Sequence, residues 1–141
     1  MKNIIGLALL SIFIWSCSAG KKPPAEDQSP AVAVQKKTDS ADEWEITVFD
    51  AGYENFVATR ALPRSMFTES YLKSRNTLLV SEWNSRFYSG VNPSFYEVAI
   101  DYDPQENYGF EFEYRLYQFF AYCNWKYGVR FSGLRVSDRV K

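Results

Sequence analysis

The chain has 141 residues, a formal net charge of −1 and no histidine, which removes histidine-based triads, histidine-containing zinc sites and the commonest neutral-pH acid/base from consideration. Between Asp42 and Phe131 eight basic residues face thirteen acidic ones, a balance of −5, and that sign argues against a phosphate-tracking nucleic-acid surface. With two cysteines, Cys17 and Cys123, neither a disulfide framework nor a thiolate metal cluster is expected, and no glycine-rich phosphate loop points to a cofactor.

In chain order, Lys2 precedes an apolar run from Ile4 to Trp15 that is shorter than the roughly 20 residues a spanning helix needs. The run ends in Ile14-Trp15-Ser16-Cys17, which resembles a bacterial lipoprotein signal. The resemblance implies cleavage before Cys17, a thioether-linked diacylglycerol on its sulfur and acylation of the new amine, so that residue 17 anchors the protein to an envelope membrane. Trp15 is bulky for that pattern, and an ordinary signal peptide cut near Ala19-Gly20, or an uncut anchor, is the other reading of the same residues. Ser18 after the cysteine favours the outer membrane, on a periplasmic or surface-facing side. Residues 1–16 are thus expected to be a leader. Residues 17–42 should be the lipidated cysteine and a disordered tether, because the stretch is rich in Pro, Lys, Asp and Ser and has no aromatic residue.

Residues 43–131 are expected to form one domain, and 23 of the 25 aromatic residues lie in 44–131. Large rings let a short domain bury enough surface to fold without staples. Trp44, Ile46 and Val48 alternate with Glu45 and Thr47, predicting a strand closed by Asp50-Ala51-Gly52. Tyr53 to Thr59 suggests a helical turn burying Phe56 and Val57, ended before Pro63. A first main helix follows from a Thr68 cap, with Leu72, Leu79, Trp83 and Phe87 on one stripe, Asn76 interrupting it, and Glu82 and Arg86 spaced as an i,i+4 pair.

After Asn92-Pro93, residues 95–102 alternate as a second strand, with Tyr96, Val98, Ile100 and Tyr102 on one face. A second main helix is expected from about Asn107 to Tyr127 with Gly128 as its cap, although Phe110 to Tyr114 also alternates as a strand would. Residues 132–141 read as a flexible basic tail. The fold class is α+β, a small two-layer domain of two main helices packed on a short sheet.

Ser81-Glu82-Trp83-Asn84-Ser85-Arg86, Asn92-Pro93, Ile100-Asp101-Tyr102-Asp103-Pro104, Tyr108-Gly109 and Tyr114-Arg115-Leu116-Tyr117 together resemble a family of small Bacteroidota envelope lipoproteins classed as a domain of unknown function. That resemblance implies a shared fold and compartment and supplies no catalytic residue.

Three function classes follow. The leading one is a lipid-anchored binding or interaction module presenting exposed rings and cations, with Trp83, Asn84, Arg86, Tyr88 and Tyr117 as the candidate face and an envelope protein or glycan as partner. The second is a carboxylate-based hydrolase of envelope glycans using Asp101, Asp103 and Glu106, or Glu111 and Glu113. The third is a structural accessory subunit of an envelope complex. Asp101, Asp103 and Glu106 also offer oxygen ligands for calcium on a turn. Cys123 sits on an apolar stripe, as a buried inert thiol would.

Overall fold

The structure is a computed structural model in which residues 30–37 and 43–139 are described. The leader and Cys17 lie outside the described residues, as do the positions of Asp39 and Lys141. Three α-helices and a two-stranded antiparallel sheet make a small mixed α+β domain. Strand β1 (Val32–Lys36) pairs with β2 (Trp44–Val48), Val34 opposite Ile46. Helices α1 (Ala51–Thr59), α2 (Glu69–Tyr88) and α3 (Phe110–Tyr127) follow.

Helix α3 is the hub. Phe112 to Tyr114 and then every residue from Leu116 to Cys123 is buried, so the helix is covered on all sides rather than along one stripe. It packs against α2, α1 and β2. The helix expected from about Asn107 starts at Phe110, and the stretch to Tyr114 that also alternates as a strand would is helical: Gly109 takes φ = +81°, a conformation suited to glycine, and turns the chain into the first helical turn. Gly128, at φ = +68°, ends the helix in the left-handed cap expected for it.

Helix α2 begins at the expected cap, where Thr68 Oγ1 accepts the Tyr71 N–H. Its buried stripe is Leu72, Asn76, Leu79, Val80 and Trp83. Helix α1 is capped by Asp50, whose carboxylate accepts the Gly52 N–H at 2.9 Å, and it buries Tyr53 and Phe56 with Val57 at the core margin.

Three expectations are corrected here. Residues 95–102 form no strand: the segment is irregular, Val98 is exposed, and its backbone is served by side chains of α2. Asn84 Oδ1 accepts the Ile100 N–H at 2.8 Å while Asn84 Nδ2 donates to the Ile100 carbonyl at 2.9 Å, and Trp83 Nε1 donates to the Val98 carbonyl at 2.9 Å. A carboxamide bonding one residue in both directions replaces a strand ladder.

The sheet partner comes instead from the stretch read as tether. The run Ala31-Val32-Ala33-Val34 alternates locally, and Val32 is buried; the surrounding Pro, Lys and Asp residues hid this signal in the average composition.

The segment after α3 is not a frayed tail through residue 139. Phe131 and Leu134 are buried, and the buried Asp138 carboxylate takes hydrogen bonds from the Tyr117 and Tyr71 hydroxyls and from Arg135. Gly133 lies so close to α2 that a β-carbon there would stand 2.9 Å from Leu79 Cγ.

Candidate functional site

The candidate interaction face dissolves once the chain is folded. Trp83 is buried among Phe95, Tyr96, Phe119, Phe120 and Phe131, and Tyr117 is buried with its hydroxyl on Asp138. Asn84 spends its carboxamide on Ile100. Arg86 is a brace: it pairs with Glu82, donates to the Tyr96 hydroxyl at 2.7 Å and to the Arg130 carbonyl at 2.8 Å, and lies over the Phe131 ring. Of the five, only Tyr88 is broadly exposed, at 77 %. Trp83 fails as a surface residue because it falls on the buried stripe of α2, as Leu79 does one turn before it.

The carboxylates do not assemble either. Asp101, Asp103 and Glu106 are exposed, and Asp103 closes its own turn by accepting the Gln105 N–H at 2.8 Å. No group of three metal-ligating side chains occurs among the described residues, so the calcium reading finds no converging ligands.

Glu111 and Glu113, two apart on α3, point to different sides. Glu111 is exposed in a bidentate pair with Arg64 at 2.7 and 2.9 Å, and that hydrogen bonding lowers its pKa. Glu113 is buried against Asn76 and Tyr102, and burial raises its pKa above the usual 4.5. Cys123 is buried as expected, and desolvation pushes its thiol well above its ordinary value.

What the fold builds instead is a cleft of about 730 Å³ between β2 and the start of α3. One wall is Glu43, Trp44, Glu45 and Ile46; the other is Asn107 to Phe112 with Arg115, and Lys37 closes one end. Its aromatic side is pre-assembled. Trp44 meets Tyr108 edge-on at 4.8 Å, and Tyr108 stacks on Phe112 at 4.4 Å and on Tyr102 at 5.0 Å. The Tyr108 hydroxyl accepts the Asp103 N–H at 2.8 Å, which locks the ring beneath the Asp103-Pro104 turn.

Charges at the rim are mostly committed. Lys37 pairs with Glu43 at 2.7 Å, Glu111 with Arg64, and Arg115 with Glu54 while lying over the Tyr53 ring. Glu45 has no salt bridge among the described residues. The volume lies within the range of small-molecule and peptide clefts, with rings on the inner side and charged groups at the rim.

In the sequence the Trp44 strand and Tyr108-Gly109 are separate signals more than sixty residues apart, and neither alone marks a cleft. Only the pairing of distant segments joins them.

No helix among the described residues is long and apolar enough to cross a membrane. Comparison with known proteins found no matching curated protein and no matching solved structure. A family profile does match, over residues 5–139, and takes in the N-terminal apolar run and the packed C-terminal segment as well as the helices. The chain therefore belongs to DUF6146, a family of unknown function.

Proposed function

We propose that the protein is a lipid-anchored envelope binding module, attached through Cys17, whose ligand site is the β2–α3 cleft. The cleft carries this reading, because it is roomy, lined by stacked rings and flanked by the Arg64–Glu111 and Arg115–Glu54 ion pairs. Attachment rests on the apolar run ending at Cys17. Twelve residues, 18–29, lie between Cys17 and Pro30, the first residue described, and twelve residues span at most about 43 Å when fully extended. The binding site is then presented to envelope partners, a protein or glycan, within that reach of the bilayer.

Two measurements test the two halves. Mass spectrometry of the mature N-terminus should find Cys17 carrying diacylglycerol and an amide-linked acyl chain; an unlipidated end at Ser18 or Lys21 refutes attachment. A photo-crosslinking residue placed at Glu45 in the producing cell should give a discrete adduct that the same residue at Tyr88 does not. Equal labelling from both positions, or none from position 45, refutes the cleft as the binding site.

A further inference from the structure

The cleft's strand wall is an unfinished sheet edge, and this decides what kind of ligand fits. Lys37 N–H donates to the Glu43 carbonyl at 2.7 Å and Phe49 N–H to the Ala31 carbonyl at 2.8 Å. With Val34 opposite Ile46, these two bonds set the phase of the ladder: Glu43, Glu45, Thr47 and Phe49 turn their backbone groups toward β1. Trp44, Ile46 and Val48 therefore turn theirs the other way. Among the described residues, no backbone or side-chain partner meets the N–H or C=O of Trp44 or Ile46 on that side.

The cleft lies on this edge. It is lined by four consecutive residues, Glu43 to Ile46, whose side chains alternate between the two faces of the sheet, so what they share toward it is the strand's edge.

We infer that the cleft takes an extended peptide as a third, edge-added strand, pairing with Trp44 and Ile46. The inference rests on the cleft being the binding site and names its ligand class. Strand addition draws affinity from main-chain bonds and specificity from alternate side chains. Here one alternate set would lie against the Trp44, Tyr108 and Phe112 rings, and the other would share the face of Glu45.

Glu45 is exposed and lacks a salt bridge among the described residues, so a Lys or Arg in the second set is favoured. A second copy of this chain is the poorer occupant. The wall formed by Asn107 to Phe112 stands beside the edge, and pairing edge to edge with a second copy would bring the two Glu45 side chains, like charge toward like, to the same joint.

The test uses the full chain in detergent and heptapeptides, selected from a library in which Lys or Arg alternates with random apolar residues. Each selected peptide is then remade with single backbone N-methyl groups. Edge addition requires a period-two result: methylation at alternate positions lowers affinity at least about tenfold, and methylation between them has little effect, because only every second N–H faces the strand. Bound peptide should also slow amide exchange at Trp44 and Ile46. Glu45→Lys, a surface change that leaves the core intact, should weaken basic peptides roughly two- to fivefold and favour Lys→Glu versions of them.

Peptides that label the cleft but show no methylation period would overturn strand addition and leave the cleft reading standing. Absence of any selected peptide, with the Glu45 crosslink still formed in cells, also overturns it and points to a glycan. Concentration-dependent dimers that protect Trp44 would assign the edge to a second copy instead.

Discussion

Asn76 on α2 and Glu113 on α3 meet in the core: one Asn76 Nδ2 donates to the Glu113 carbonyl at 2.8 Å and to its Oε2 at 2.7 Å. The Tyr102 hydroxyl reaches the same carboxylate at 3.1 Å, so the contact ties both main helices to the irregular segment before α3. Burial raises the Glu113 pKa, and the bonds from Asn76 and Tyr102 only partly oppose it.

A pH dependence follows. Below about 4.5, Glu113 is protonated in folded and unfolded chains alike and contributes no slope. As pH rises from there through the higher folded value, the native state keeps a proton that the unfolded chain has released, and this group's contribution to stability falls. Glu113→Gln should therefore compare more favourably with the parent at pH 7.5 than at pH 4.5 in urea unfolding. An identical difference at both values would contradict the buried-carboxylate account.

Asp50 behaves in the opposite sense. Burial alone would raise its pKa, but Lys126 at 2.8 Å, the Tyr127 hydroxyl and the Gly52 N–H donate to it and hold it at about 2. The stabilisation is present above the ordinary value near 3.8 and is lost as pH falls through about 2. Asp50→Asn should cost on the order of 2 kcal/mol at pH 7, with the deficit shrinking as pH falls below about 4. Chemical denaturation across that range measures it.

Trp83 and Tyr88 lie on the same helix with opposite fates. Truncating the buried Trp83 to Ala removes a ring surrounded by five others and should cost about 3–5 kcal/mol, whereas Tyr88→Ala should stay within roughly 0.5 kcal/mol. Thermal melting of both variants decides between a core and a surface role. A mild Trp83→Ala would restore it to the list of surface residues.

The C-terminal segment should behave as core. Leu134→Ala is expected to lose about 2–4 kcal/mol, and a chain stopped after Phe131 should be less stable still, because it also strips Asp138 from Tyr117. A truncated chain that melts with the parent would return this segment to the status of a tail.

How far each feature was legible depends on where its determinants lie. Thr68 capping α2, Gly128 ending α3 and the alternation from Trp44 to Val48 are local signals, carried by neighbours a few residues apart, and each is found where the pattern puts it. The error over residues 95–102 has the same root as the omission of β1. Alternation reports that a segment has two faces and does not report which partner will satisfy its backbone. Asn84 and Trp83 took that role for Ile100 and Val98, and Val32 to Lys36 took it for β2.

By itself the sequence determined a histidine-free, aromatic-filled α+β domain, the helix caps at Thr68 and Gly128, the strand from Trp44 to Val48 and a buried Cys123, because composition, caps and short-range periodicity set these. Tertiary structure alone decided that Tyr117 faces inward, that Leu134 and Asp138 belong to the core, and that Trp44 and Tyr108 line one cleft from its two walls. Those outcomes depend on which distant segments pack together, and burial and hydrogen-bond pairing are properties of the packed whole.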